Sequence, residues 1–451
     1  MQSIKIRNGY TLKILGEPKN ELFRLESTSK VAVTPERIPF VKPRVMVRTG
    51  DQVALGAVLF EDRRRPEIKF LSPGGGKVTA INYGPRRVIK EIVIALDPDE
   101  EYIDFGCIDK KNLKAMDREE LVAYLAKAGV WPYLKCLPYG DIAPLDQVPP
   151  EIIISLKTQQ PYAARPEVYL AGQKDIFLKG LKIIEKLVGS ARKVLVVADM
   201  ESTRKLTTYA SIITYRMEGA YPADDPGVFN YYFKKNPKQN KNWYIDGQDL
   251  LQLSRLCQTG VYPVQRIVAV GGSKAIQGCH KACRIGLPVT DLIGEYESLA
   301  NVRLVFGGVF RGYEVSMSSY LGFYETSLQI LPDGKFKEFG ALFNPGLKKS
   351  SFSRTFLSAL NPVSLELNCN LHGGIRACIS CGHCSKVCPV DIFPQLTYKA
   401  ILAEAVDEYL AHGLLDCVEC GLCSYVCPAK IELTAALKDA KATYYKEQLS
   451  S

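Results

Sequence analysis

Eight of the fourteen cysteines lie in one stretch, Ala377–Lys430, and they repeat a single spacing. The first copy is Cys378, Cys381, Cys384 and Cys388, followed by Pro389. The second is Cys417, Cys420, Cys423 and Cys427, followed by Pro428, 39 residues further on. Three cysteines at every third position let a tightly turned backbone present thiolates to three corners of an iron–sulfur cubane. The fourth leaves along a chain that has been turned away, and in two-cluster proteins it ligates the other cluster. Proline fixes φ and has no N–H, so it enforces that exit. The spacing therefore predicts two 4Fe–4S clusters. One is held by Cys378, Cys381, Cys384 and Cys427, the other by Cys417, Cys420, Cys423 and Cys388. Zinc and structural disulfides are the alternatives. Tetrahedral zinc sites usually pair two close cysteines with two distant ligands, which four closely spaced cysteines, twice over, fit poorly.

Composition narrows the class. At 451 residues the chain has room for several domains, with 47% hydrophobic and 24% charged residues, as in ordinary globular proteins. The formal charge of +10 suits an anionic membrane surface or an acidic partner, but a solvated basic face explains it as well. No nucleic-acid partner is expected. Met1–Asn20 has no apolar core and no small-residue cleavage site, so no secretory signal is expected. No apolar run approaches the roughly 18–20 residues that span a bilayer. Thiolate-held clusters need a reducing compartment, which agrees with a soluble or peripheral chain.

Along the chain, Met1–Arg37 reads as a strap or an edge hairpin. From Ile38 to Asp97, short strands broken by glycine suggest a small all-β sandwich or barrel. Gly74–Gly76 read as turn residues there, with phosphate binding the alternative. Met116–Gly129 has helical spacing closed by glycine. Val130–Pro150 reads as ordered loop. Strands at Ile152–Leu156 and Lys193–Ala198, with helices at Ile176–Val188 and Arg204–Tyr215, predict a βαβ layer around a mostly parallel sheet. No G-x-G-x-x-G follows either strand, so the dinucleotide fingerprint is missing. Tyr221–Asn242 reads as a solvent-exposed polar excursion. A second α+β unit runs through Arg266–Val270, Ile276–Arg284, Pro288–Ile293 and Arg303–Val305. Cys279, His280 and Cys283 on it lack a fourth metal ligand in view and read as incidental. Cys107, Cys136, Cys257 and Cys369 read as free thiols. Cys369 and His372 precede the first motif without extending it. Leu396, Ala400, Ala403, Val406, Leu410 and Leu414 predict one buried helical face between the motifs. His383, Lys386 and Lys430 lie in or beside the motifs, either to raise potentials or as a solvated rim.

Several stretches together resemble one family. They are Val47–Val53, Leu59–Asp62, Ser72–Ile81 with Arg86-Arg87, Gly129–Pro132, Tyr320–Tyr324, Asn344-Pro345-Gly346 and Ser353-Arg354-Thr355. Their order is similar to that in the NqrA subunit of the sodium-translocating NADH:quinone reductase. The resemblance implies a multidomain α+β protein. Its expected parts are an N-terminal strap (1–37), a barrel-sandwich domain like the biotinyl and lipoyl carriers (38–98), a Rossmann-like α/β domain (99–260), a β-grasp ligand-binding domain (261–335) and a helical dicluster ferredoxin domain (336–451). It also implies a peripheral subunit on the cytoplasmic face of a membrane complex, linked to quinone reduction.

Two departures qualify the resemblance. The NqrA subunit ordinarily lacks a full set of cluster cysteines, whereas both copies are complete here, as in the C subunit of the related Rnf complex. That C subunit carries a glycine-rich flavin and NADH stretch, where this chain has Gly129-Val130-Trp131-Pro132-Tyr133-Leu134. FMN and NAD are therefore not expected in this chain, and a quinone remains a candidate. Nor does the barrel hairpin offer a flanked lysine for a swinging group. Lys69 sits beside Phe70 and Arg63-Arg64-Arg65 fills the turn, so the domain reads as a docking element. The leading expectation is an electron-relay subunit of an Nqr/Rnf-type membrane oxidoreductase. Its partners would be the membrane subunits and a quinone, a ferredoxin or a flavoprotein, and no catalytic acid or base is identifiable. A self-sufficient soluble flavoprotein and a scaffold with redox-inert clusters are the alternatives.

Overall fold

The computed structural model describes residues 1–25, 28–157, 159–189, 193–294, 301–334, 345–353, 356–361, 363–370 and 373–449. Asn344, Arg354, Thr355 and His372, singled out above, lie outside the described residues. Glycine-punctuated strands near the N-terminus form two antiparallel sheets. Lys30–Val33, Ile89–Leu96, Gly76–Tyr83 and Gln52–Val53 make one, and Pro43–Val45, Val58–Asp62 and Arg65–Leu71 the other. Alternate residues such as Val31, Phe60, Ile68, Phe70, Val78, Ile92 and Ile94 point inward, and Phe60 stacks on Phe70 at 4.5 Å. Gly76 is required where it stands. Its φ is +154°, and a Cβ would collide with the Ala95 carbonyl oxygen on the paired strand.

A seven-stranded sheet occupies the centre. Its order is Gln2–Lys5, Tyr215–Glu218, Lys193–Asp199, Glu151–Leu156, Trp243–Asp246, Lys135–Cys136 and Asp141–Ile142. The first five are parallel to their neighbours and the last two antiparallel. The strand at Glu151–Leu156 is apolar almost throughout because both its faces are covered. Ile152 and Ile154 pack with Phe177, Ile184 and Leu187 of the helix Lys174–Val188 and with Leu250 and Leu253 of the helix Gly247–Thr259. Ile153 faces the other way, with Leu195, Val197 and Met217. The third unit is a six-stranded sheet built from Tyr313–Val315, Val302–Phe306, Ser327–Pro332, Gln265–Gly271, Cys279–Arg284 and Leu22–Arg24.

Several expectations are corrected. Met1–Arg37 forms no hairpin of its own. Its three strands join three different sheets, so the segment stitches the units together. Arg204–Tyr215 is not a helix, because the helix is Met200–Lys205, capped by the Asp199 carboxylate, and Tyr215 opens a strand. Tyr221–Asn242 is not a solvent excursion. It contains the helix Pro226–Phe233, started by Asp225 as cap and Pro226 in the first turn, with Val228 and Phe229 fully buried. The stripe between the cysteine motifs is split into Pro394–Leu402 and Val406–Ala411. The left-handed Glu404 (φ 53°) breaks it, and Leu396, Leu402 and Val406 face solvent while Ala400, Tyr409 and Leu414 are buried. Val130–Pro150, read as loop, holds the two short antiparallel strands of the central sheet's edge.

The units are pinned by buried polar links. Arg65, at the barrel hairpin, donates to Asp62 at 3.0 Å, to Asp141 at 3.0 Å and to the Ile142 carbonyl at 2.9 Å. Tyr445, on the last helix, donates to the other oxygen of Asp141 at 2.9 Å. The hairpin turn is thus engaged on the central sheet's edge. Arg266 of the six-stranded sheet, 2% exposed, pairs with Asp249 of the helix Gly247–Thr259 at 2.8 Å. Replacing Arg266 with Met strands a buried carboxylate, which costs about 3–5 kcal/mol. The double variant Arg266→Met/Asp249→Leu should recover most of that loss. Scanning calorimetry checks this, and equal destabilisation of single and double variants would contradict the assignment.

Candidate metal centres and the cleft beside them

The two cysteine copies share a backbone as well as a spacing. Ser380 and Glu419, each just before the second cysteine, take positive φ of 53° and 56°. Gly382 and Gly421, just after it, take 74° and 83°. Asp391 and Lys430, three residues past the fourth cysteine, take 51° and 60°. A left-handed residue on either side of one cysteine reverses the chain twice within three residues, which is costly for the non-glycine members. The reversals start the short helices His383–Lys386 and Leu422–Tyr425, and these carry the third cysteine of each set. The likeness extends beyond the cysteines. Ser385 and Cys384 donate to the Gln395 side chain at 2.7 and 3.0 Å, and Ser424 and Cys423 meet Thr434 at 3.1 and 3.2 Å.

The cysteines line two separate cavities, and each fourth cysteine has changed partners. Cys378, Cys381 and Cys384 surround a void of about 350 Å³ together with Cys427. Cys417, Cys420 and Cys423 surround one of about 340 Å³ together with Cys388. Both figures include the open mouth. The remaining walls are mostly apolar, with Ile379, Ile431 and Leu433 at the first and Val390, Ile392, Leu422 and Leu437 at the second. Among the described residues, no three His, Cys, Asp or Glu side chains gather closely enough to hold a single metal ion. The thiols stand around a space instead of converging on a point.

The two cavities differ in depth. In the first set Cys381 is exposed, Cys378 and Cys427 are half-buried and Cys384 is buried, whereas in the second Cys388, Cys420 and Cys423 are buried and Cys417 is half-buried. Burial pushes the Cys388 thiol up to about 12 and Cys417 up to about 11, and also raises Cys423 well above the ordinary thiol value. Without a positive guest these thiols stay protonated at neutral pH. Groups from three segments pack against the second motif. Tyr221 donates to the Cys420 carbonyl at 2.9 Å, and Lys441, 4% exposed, donates to the Cys417 carbonyl at 2.7 Å. Arg311 pairs with Asp225 at 2.6 Å and lies within electrostatic reach of Cys420. A Cβ on Gly421 would run into the Phe310 backbone, so the motif is seated directly on that loop.

Behind the second cavity lies a cleft of about 2540 Å³, mouth included. Cys417, Val418, Glu419 and Thr434 line both spaces. The cleft opens at the carboxyl ends of Glu151–Leu156 and Trp243–Asp246, the neighbours at which the parallel order reverses. Open α/β sheets offer ligand crevices at that position. Lys157 and Asp246 pair across it at 3.2 Å, and Tyr244, Tyr324 and Arg311 also line it. Ser155, 1% exposed, has no hydrogen-bond partner for its hydroxyl, and one oxygen each of Asp246 and Glu325 is likewise unpaired.

Sequence reasoning named all eight cysteines but missed Tyr221, Asp225, Arg311, Lys441 and the cleft. Only Asp225-Pro226 before an apolar run carried a signal, that of a helix start. His383 lines the first cavity and meets Phe352 edge-on at 5.5 Å, Lys386 is exposed, and Lys430 is half-buried. Cys279, His280 and Cys283 do not form a site. Both ring nitrogens of His280 are engaged, Nδ1 at 2.8 Å from the Lys19 carbonyl and Nε2 accepting from the Arg165 N–H at 3.0 Å, and burial lowers its pKa.

Comparison with known proteins agrees with this architecture. Residues 4–97 match the NqrA N-terminal barrel-sandwich hybrid domain, residues 116–262 the NqrA second alpha/beta domain, and residues 375–428 a 4Fe-4S dicluster domain. The chain is a mixed α+β, multidomain protein with an N-terminal barrel-sandwich domain and a ferredoxin-type dicluster domain. It is 30% identical over 415 residues to the A subunit of the Na(+)-translocating NADH-quinone reductase of Yersinia pestis bv. Antiqua (strain Angola), covering 91% of this chain and 92% of that one. It is 29% identical over 406 residues to the corresponding subunit from Actinobacillus pleuropneumoniae serotype 5b (strain L20), covering 90% of each. The chain belongs to the NqrA family, the A subunits of the Na(+)-translocating NADH-quinone reductase.

The exchange of fourth cysteines can be tested by substitution. A serine oxygen is a poor replacement for thiolate at iron. Cys388→Ser should therefore damage the centre marked by Cys420→Ser, and Cys427→Ser the centre marked by Cys381→Ser, as read from low-temperature EPR. If Cys388→Ser instead reproduces Cys381→Ser, each motif encloses its own centre.

Proposed function

We propose that the chain relays single electrons through two 4Fe–4S clusters as a peripheral subunit of an Nqr/Rnf-type ion-translocating oxidoreductase. The observation that carries this reading is the pair of thiol-lined cavities. Each has four cysteines around a space wider than one ion needs, with apolar walls and glycine-reversed backbone. The donor set fits a cubane, with Cys378, Cys381, Cys384 and Cys427 holding one and Cys417, Cys420, Cys423 and Cys388 the other. Bound there, the clusters supply one-electron transfer. The chain's own groups set the surroundings. Lys441, paired with Glu419, and Arg311, paired with Asp225, stand beside the second centre, while Ile431, Leu433, Ile392 and Leu437 exclude water from the sulfurs.

The further parts of the reading follow from the family. The central sheet serves as a Rossmann-like domain (99–260) and the six-stranded sheet as a β-grasp domain (261–335), each extended by one strand of the N-terminal strap, Gln2–Lys5 and Leu22–Arg24. The relatives are named as subunits of an NADH-quinone reductase, so membrane subunits are the partners in this reading, with a quinone as candidate acceptor in the cleft beside Cys417. No helix among the described residues is long and apolar enough to cross a membrane, which suits peripheral attachment at the cytoplasmic face. Reading the barrel hairpin as a docking element rather than a carrier is supported by its turn, whose Arg65 is already engaged by Asp62 and Asp141.

Anaerobically purified chain should contain about eight irons with matching acid-labile sulfide, and show two EPR signals on reductive titration. Two zincs and no sulfide would refute the relay. The isolated chain should retain no FMN and should not oxidise NADH, and stoichiometric flavin would favour the self-sufficient flavoprotein. Release from membranes should require a chaotrope, and recovery as a free monomer after mild lysis would argue against a membrane complex.

A further inference from the structure

The two centres are unequal in a way that gives a direction of access. The backbone of the second motif is packed against Tyr221, Phe310 and Lys441, and three of its four cysteines are buried. The first opens outward at Cys381, the exposed member of its set. Around that opening stand Ile375 and Ile379, 73% and 68% exposed, and Ile379 also lines the cavity wall. Apolar side chains this open beside a candidate metal ligand are not needed by the fold. The charges in the same stretch of chain have one sign. No Asp or Glu occurs from residue 367 to residue 390, whereas Arg376 and Lys386 lie within that span and are exposed. Lys399 reaches in from the next helix to Ser380 at 3.2 Å, and Lys430 follows the Ala429 carbonyl that accepts from the Arg376 N–H at 2.8 Å. The first acid after the span, Asp391, accepts from Asn8 at 2.7 Å and Tyr232 at 3.2 Å, toward the central sheet.

We propose that this face is the docking site for an acidic, water-soluble protein that carries a one-electron centre, and that the first cluster is the port through which the electron crosses. The inference rests on the relay reading above. An apolar centre flanked by basic residues is the pattern that steers a complementary partner and then excludes water at the contact. An anionic membrane offers the same charge, but lipid headgroups carry no electron centre to meet a cluster ligand held at the surface. In the transfer, the carrier's reduced centre loses one electron and the chain's oxidised centre gains it, with no bond made or broken.

The test uses the full chain with its clusters in place and a purified acidic two-cluster ferredoxin as probe. Binding is measured by calorimetry, and cluster reduction by stopped-flow absorbance, each at several salt concentrations. Binding to the unmodified chain should weaken at least tenfold between low and high salt. Arg376→Glu/Lys386→Glu should weaken it at least tenfold at low salt and slow cluster reduction by a similar factor. Lys399→Glu, one helix further out, gives the same sign of effect should the double variant fail to hold its iron. Dithionite, a small reductant, should reduce the clusters of every variant equally. Salt-independent binding, or charge reversals that change neither constant, overturns the proposal. So does loss of binding to phosphatidylglycerol vesicles in the same variants while ferredoxin binding stays intact. Absence of iron–sulfur signals from the unmodified chain under dithionite would instead defeat the relay itself, so the two failures are distinguishable.

Discussion

The structure depends on covering the second face of the central sheet. Ile153, Leu195, Val197 and Met217 point away from the helices that cover the first face, and exposed they would form a large apolar patch. Val228 and Phe229 of the helix Pro226–Phe233 share that core with Val390, Ile392, Ala400, Tyr409, Leu414 and Leu437 of the cysteine domain. Cys388 belongs to the same cluster of buried residues. The hydrophobic contact that completes the sheet therefore also fixes the second set of cysteines, through Cys388, against the body of the protein. Burying a side chain of this size contributes about 1.5–3 kcal/mol. The interface is thus a core in its own right, and the ferredoxin-type domain is not a loosely tethered module.

That placement makes the two halves of an internal repeat unequal. Spacing, left-handed residues and the polar partners of the third cysteine match between the copies, so each alone offers its guest similar ligation. One copy faces solvent through Cys381, and the backbone of the other is packed against two other units through Tyr221 and Phe310. With a cluster bound there, the ion pairs of Arg311 with Asp225 and Lys441 with Glu419 and the loss of water would together set its potential. Asymmetry of this kind gives a chain of redox centres an outside and an inside.

The cleft follows from the same arrangement. Its floor is the switch point of the central sheet, where neighbouring connections diverge and leave the carboxyl ends of two strands uncovered. Its walls come from the third unit through Arg311 and Glu325, and from the cysteine domain through Cys417 and Glu419. It exists only when three units are assembled. Ser155, buried without a partner for its hydroxyl, is a polar group of the floor that folding alone leaves unsatisfied.

What the sequence determined is what depends on local spacing. Three-residue steps between cysteines, proline after the fourth, alternating apolar residues near the N-terminus and the apolar run at Ile152–Leu156 constrain backbone geometry within a few residues. The two ferredoxin motifs, the barrel strands and the parallel-sheet strands were therefore legible. Tertiary structure decided what depends on juxtaposition across hundreds of residues. The helix Pro226–Phe233 read as a loop because lysines and prolines surround it, and its burial comes from a domain far along the chain. The predicted stripe from Leu396 to Leu414 broke at Glu404, where the chain turns so that Tyr409 and Leu414 join that same core. Arg311 and Lys441 carry no local mark of their position. Each is an ordinary basic residue in sequence, and only the packing that removes water and brings a cysteine motif alongside turns its charge into part of a site.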